Sequence, residues 1–116
     1  MITLDTTHPS GPAEQIRAQI TALIQSGELA ADARLPPVRQ LAGDLRVAAG
    51  TVAKAYKELE STGLVRTGRA NGTRVNPGLV LETPTLKDVQ RLVAAARKAG
   101  LSLEDVQGII AVSWNA

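Results

Sequence analysis

"LPPVRQLAGDLRVAAGTVAKAYKELESTGLVRTGRANGTRV", residues 35 to 75, holds three changes of pattern in one continuous run. Leu35-Pro36-Pro37 opens a short helix with Val38, Leu41, Ala42 and Leu45 on one side. Proline fits a first turn, because the backbone N–H groups there have no helical partner. A second helix is expected over Ala49 to Ser61, with Val52, Ala55, Tyr56 and Leu59 as its buried face and Gly63 as its end. The period then shortens: Leu64-Val65-Arg66-Thr67 and Thr73-Arg74-Val75 read as strands around Gly68-Arg69-Ala70-Asn71-Gly72. Asn-Gly between two such runs signals a hairpin, since both residues tolerate positive φ.

Outward from this run, Ile16, Ile20, Leu23 and Ile24 mark a helix from Pro12 to Ser26, stopped by Gly27. Residues 1 to 11 read as a flexible leader that contains His8, the single histidine. Asn76-Pro77-Gly78 breaks the chain, and two amphipathic helices follow. Thr85 is the expected cap of the first, with Leu86, Val89, Val93 and Ala96 as its stripe and Gly100 as its stop. Ser102 caps the second, with Asp105 at the capping-box position and Leu103, Val106, Ile110 and Trp114 as the stripe. The expected fold is mainly α with a small β-hairpin (α+β). Its parts are a leader (1–11), a winged helix-turn-helix (12–77), and a linker with a two-helix C-terminal tail (78–116).

At 116 residues the chain has room for a modest core, so help from a second chain is plausible on size alone. There is no cysteine, hence no disulfide and no thiolate metal site, and neither a metal nor a cofactor is expected. No nucleophile–base pair or phosphate-binding loop argues for an enzyme. Neither a signal peptide nor a membrane-length apolar run is evident, so a cytoplasmic protein is expected, with no membrane partner.

Charge is uneven. Arg34, Arg39, Arg46, Lys54, Lys57, Arg66, Arg69 and Arg74 against Asp44, Glu58 and Glu60 give residues 34 to 74 a net +5, whereas residues 1 to 33 carry −3. A basic middle suits a polyanion. A helix fits the major groove of duplex DNA, a preceding helix braces it across the backbone, and a basic hairpin reaches neighbouring phosphates. Arg39, Lys54, Arg69 and Arg74 put a cation on each of the three elements. Tyr56 reads as core, Trp114 as a tail or dimer contact, and Arg17 and Arg34 as plain surface.

The same stretch resembles the DNA-binding domain of the GntR family of bacterial transcription regulators, in the version of its YtrA-like subfamily. The resemblance rests on LP-x-x-R-x-LA, TV-x-x-A-Y-x-E-LE, the GLV step and GT-x-V, with "QIRAQITALIQSGEL" upstream. It implies that Arg39 contacts the DNA backbone and that Thr51 and Lys54 lie on the recognition helix facing the groove. By the same resemblance Gly72 and Thr73 form the wing tip, with Arg74 next to them. Departures from the family pattern are Pro37 for a serine cap, Arg46 for a turn glycine, and Ala48, Ala49 and Gly50 for polar residues. Small side chains there let a helix N-terminus approach phosphate closely, and alanine methyls can meet a thymine methyl. Direct reading would then rest on Thr51 and Lys54, supplemented by DNA shape.

The expected function is a homodimeric, sequence-specific repressor on a palindromic operator. Dimerisation is assigned to Leu86, Val89, Val93, Leu103, Val106, Ile110 and Trp114, and the presence of a small-molecule effector is left open. The alternative is a winged-helix protein-interaction module without specific DNA binding, which the basic segment disfavours. Single-strand or RNA binding lacks a stacking platform, because the two aromatics, Tyr56 and Trp114, lie away from the basic surface.

Overall fold

A computed structural model describes residues 2–81 and 83–116. The chain divides into two compact units, Met1–Leu81 and Glu82–Ala116.

In the first unit, α1 (Pro12–Gln25) starts behind an extended Gly11 with Pro12 at its first position. Ile16, Ile20 and Ile24 are buried, and Leu23 is half-buried beside them. Gly27 ends the helix at φ +83°, the left-handed region that glycine enters without a Cβ penalty. Helix α2 (Val38–Leu45) begins one residue later than the prolines suggested. Pro37 is extended (ψ 146°) and stands ahead of the first turn, where its carbonyl accepts from the Leu41 N–H at 3.0 Å. Helix α3 (Ala49–Ser61) has the expected bounds, and Val52, Ala55, Tyr56 and Leu59 form its buried face. It packs on both α1 and α2.

Strands β1 (Val65–Gly68) and β2 (Gly72–Val75) pair antiparallel, with Val65 opposite Val75 and Gly68 opposite Gly72. The connection is the three-residue loop Arg69-Ala70-Asn71. Gly72 has φ +65°, but Asn71 is not among the positive-φ residues, so glycine alone supplies the turn that Asn-Gly had suggested. The sequence pattern also missed a third line of pairing. Leu35 N–H donates to Thr73 O (2.8 Å), Val75 N–H to Ala33 O (2.9 Å), and Asp32 N–H to Val75 O (2.9 Å). Arg34 and Arg74 face each other across this bridge.

The start of the leader lies against α1. Gln19 exchanges hydrogen bonds with the backbone of Thr3 (2.9 and 2.6 Å), and Gln15 does so with that of Asp5 (both 2.8 Å). Ile2 and Leu4 pack on the core. Polar side chains of α1 thereby satisfy an extended backbone that two apolar residues hold in place.

In the second unit, α4 (Thr83–Lys98) starts two residues before Thr85, which therefore lies within the first turn rather than capping it. Gly100 (φ +76°) closes the helix, with Leu101 N–H donating to Ala96 O at 2.9 Å. Helix α5 (Leu103–Trp114) carries the capping box. Asp105 N–H donates to Ser102 Oγ and Ser102 N–H to the Asp105 carboxylate, each at 3.0 Å. The Ser102 backbone and hydroxyl bonds hold that carboxyl below its ordinary range. Ala96 is buried, Leu86 and Val106 are half-buried, and the other stripe residues are exposed. Among the described residues, no helix is long and apolar enough to cross a membrane.

Candidate nucleic-acid interface

The α2–α3 turn is closed by backbone geometry. Arg46 adopts φ 56°, ψ 46°, a conformation that costs a side-chain-bearing residue about 1 kcal/mol. Its reward is local: Arg46 N–H donates to Gly43 O and Val47 N–H to Ala42 O, which ends α2 within one residue. Val47 packs against the core and Ala48 turns extended (φ −65°, ψ 145°) to begin α3. Ala48 has no side-chain acceptor, so the first-turn donors of α3 lack the cap that serine or aspartate would supply. Ala48, Ala49 and Gly50 are all exposed. A Cβ at Gly50 would meet nothing within 4 Å, so the fold does not demand glycine there.

Thr51 is half-buried at the base of this entrance, and Lys54 and Lys57 are exposed further along α3. The Lys54 ammonium lies close enough to α1 to help hold the Glu14 carboxyl below its usual range, although the Arg17 hydrogen bond is the larger cause. Arg39 is exposed on α2 and forms no hydrogen bond or ion pair among the described residues. On the opposite side of α3, the buried Tyr56 hydroxyl donates to Pro36 O at 2.6 Å. Burial pushes its pKa up to about 12, and the bond pins α3 to the residue that leads into α2. Tyr56 is core, as its position predicted.

The wing cations divide into two kinds. Arg74 Nη1 donates to Asp32 O (2.8 Å), and Arg66 Nη1 to Val75 O (3.0 Å), while the Arg66 guanidinium also pairs with the Asp32 carboxylate. Both brace the wing. Arg69, at the loop, is exposed without a partner among the described residues. Arg34, read from the sequence as surface, has its guanidinium beside Gly72: a Cβ on that glycine would stand 2.8 Å from Arg34 Nε. No periodicity marks this residue, and the bridge to Arg74 is what places it.

Two helices joined by a tight turn, the second with one face buried and one bare, and a cationic hairpin behind them define a winged-helix DNA-binding protein. The family model described as "Bacterial regulatory proteins, gntR family" matches residues 12–75, and the chain belongs to that family. It is 39% identical over 92 residues to the HTH-type transcriptional regulator Rv1152 of Mycobacterium tuberculosis, covering 79% of this chain and 76% of that one. It is 34% identical over 110 residues to the HTH-type transcriptional repressor YtrA of Bacillus subtilis, covering 90% and 85%. Among solved structures, YtrA of Sulfolobus acidocaldarius, a GntR-family transcription factor, superposes with a TM-score of 0.63 at 28% identity, covering 84% of this chain and 97% of that one. The chain is a GntR-family transcription regulator with a DNA-binding helix-turn-helix, and these relatives are regulators rather than enzymes.

Proposed function

We propose that the protein is a cytoplasmic, homodimeric repressor that binds a palindromic operator through two copies of α3. The observation that carries the reading is the α3 entrance. Ala48, Ala49 and Gly50 are exposed, uncapped and free of packing duties, directly beside Thr51 and the exposed Lys54. An uncapped helix start offers backbone N–H groups to a phosphate oxygen, and small side chains let it come near. Thr51 and Lys54 then meet base edges in the major groove, and DNA shape adds discrimination. Arg39 holds a phosphate from α2. In the wing, Arg69 supplies the outer cation, Gly72 and Thr73 approach the duplex, and Arg74 fixes the hairpin.

Dimerisation through the tail is supported by the exposure of its apolar residues, among them Leu103 (74%) and Trp114 (85%). A two-fold dimer presents two α3 helices to half-sites about 34 Å apart, one turn of DNA. The Bacillus relative is named a repressor, and blocking a promoter needs no part beyond such a dimer.

The test separates positioning from reading. Selection of bound sequences from random duplex yields the operator, and Arg39→Ala and Lys54→Ala are then titrated on it and on random DNA across a salt series. Arg39→Ala should weaken both alike and reduce the salt slope by about 1. Lys54→Ala should cost roughly 1–3 kcal/mol on the operator and much less on random DNA. Failure of the wild-type protein to select any palindrome would sink the operator reading.

A further inference from the structure

Arg34 stands apart from the other wing arginines. Arg66 and Arg74 both direct donors to Asp32 and its neighbours, whereas the exposed Arg34 guanidinium has no hydrogen bond or ion pair among the described residues. Its backbone is nonetheless fixed in place. The backbone of Arg34 is bridged to Arg74, and flanking bonds tie Ala33 to Val75 and Leu35 to Thr73. Its side chain reaches along β2 to Gly72, where an added Cβ would lie 2.8 Å from Nε, 3.0 Å from Nη2 and 3.2 Å from Cζ. The guanidinium therefore fills the space that any side chain at position 72 would need. Gly72 is demanded by φ +65°, and the absence of a Cβ there leaves the Arg34 guanidinium room to lie against the β2 backbone.

A planar, permanently charged fork with unused donors, held beside the wing loop, has the chemistry of a phosphodiester ligand. We propose that Arg34 is a DNA-backbone contact of the wing, seated by Gly72 and delivered by the Ala33–Leu35 bridge. This rests on the DNA-binding reading above and extends it to a residue outside the helix-turn-helix. The competing role is purely internal, with Arg34 shaping the hairpin and touching no phosphate.

The salt dependence of binding distinguishes the two, because each neutralised phosphate contributes about −0.9 to the slope of log K against log salt on duplex DNA. The full chain is measured on random duplex as wild type, Arg34→Gln and Arg34→Lys. Glutamine keeps a side chain able to lie over Gly72 but removes the charge, and lysine restores the charge without the fork. Arg34→Gln should lower the magnitude of the slope by about 1, and Arg34→Lys should return it to the wild-type value. A wild-type slope in Arg34→Gln overturns the proposal whatever happens to affinity, since a hairpin-shaping residue changes binding strength without changing the number of phosphates met. If wild-type protein shows no salt-dependent binding to duplex, the DNA-binding reading itself falls, an outcome distinct from failure of Arg34 alone.

Discussion

The two units treat amphipathic helices in opposite ways. In the first, the stripe of α3 closes on those of α1 and α2, leaving Ile16, Ile20, Val52 and Leu59 with no exposed surface. In the second, α4 and α5 have stripes of the same kind, yet Val89, Val93, Ile110 and Trp114 stay exposed, and Ala96 is the buried apolar residue among the described ones. The difference lies in what each stripe meets. Three helices and a hairpin enclose a core, whereas a pair of helices has too few neighbours to cover both apolar faces. An amphipathic pattern read from sequence therefore states that a face must be covered, not by which chain.

Core truncation should give the largest effect and sharpen this contrast. Leu59→Ala removes a fully buried side chain at the junction of the first unit, and a loss of about 2–5 kcal/mol is expected by urea denaturation followed by circular dichroism. Leu103→Ala in the second unit, 74% exposed, should leave the unfolding of the winged unit unchanged. Comparable losses of winged-unit stability from the two substitutions would break the comparison.

Alkali should also separate the units. The Tyr56 hydroxyl has its pKa raised from 10.0 to about 12, because burial disfavours the phenolate. The unfolded chain then loses this proton first, so the stabilisation is complete below pH 10 and declines as pH rises towards 12. Tyr56→Phe should cost about 1 kcal/mol at neutral pH through the lost bond to Pro36 and should flatten the alkaline decline. The tail contains no tyrosine, and an equal alkaline response in α4 and α5 would contradict the assignment.

A smaller effect, with opposite sign, belongs to the turn. Arg46 occupies the left-handed region, so Arg46→Gly should raise stability by a few tenths to about 1 kcal/mol. The net gain is limited because glycine also frees the unfolded chain. A lower melting temperature for Arg46→Gly without DNA would show that the guanidinium contributes more than its backbone costs.

Much of this was legible in the residues. The bounds of α3 follow from four apolar positions and Gly63, and the α5 cap from Ser102 and Asp105, whereas the turn at Arg46 was marked only by the family pattern, which has glycine there. What stayed hidden has no period. The Ala33–Leu35 bridge is too short to alternate, and it sits against Pro36-Pro37, which reads as a helix entrance. Fastening of residues 2 to 5 depends on Gln15 and Gln19 reaching a distant backbone, a pairing that spacing does not encode. Arg34 was read as surface for the same reason, since its role emerges only when the bridge brings it to Gly72. The apolar face of the tail is legible as a requirement for cover, which the proposed dimer would supply from a second copy of the chain.

Sedimentation equilibrium of the full chain without DNA, with the fluorescence of the single tryptophan recorded at the same concentrations, tests that proposal most directly. A dimer is expected at micromolar concentration, with Trp114 emission shifting to the red as dilution returns the indole to water. A monomer at micromolar concentration, with emission independent of dilution, would contradict it.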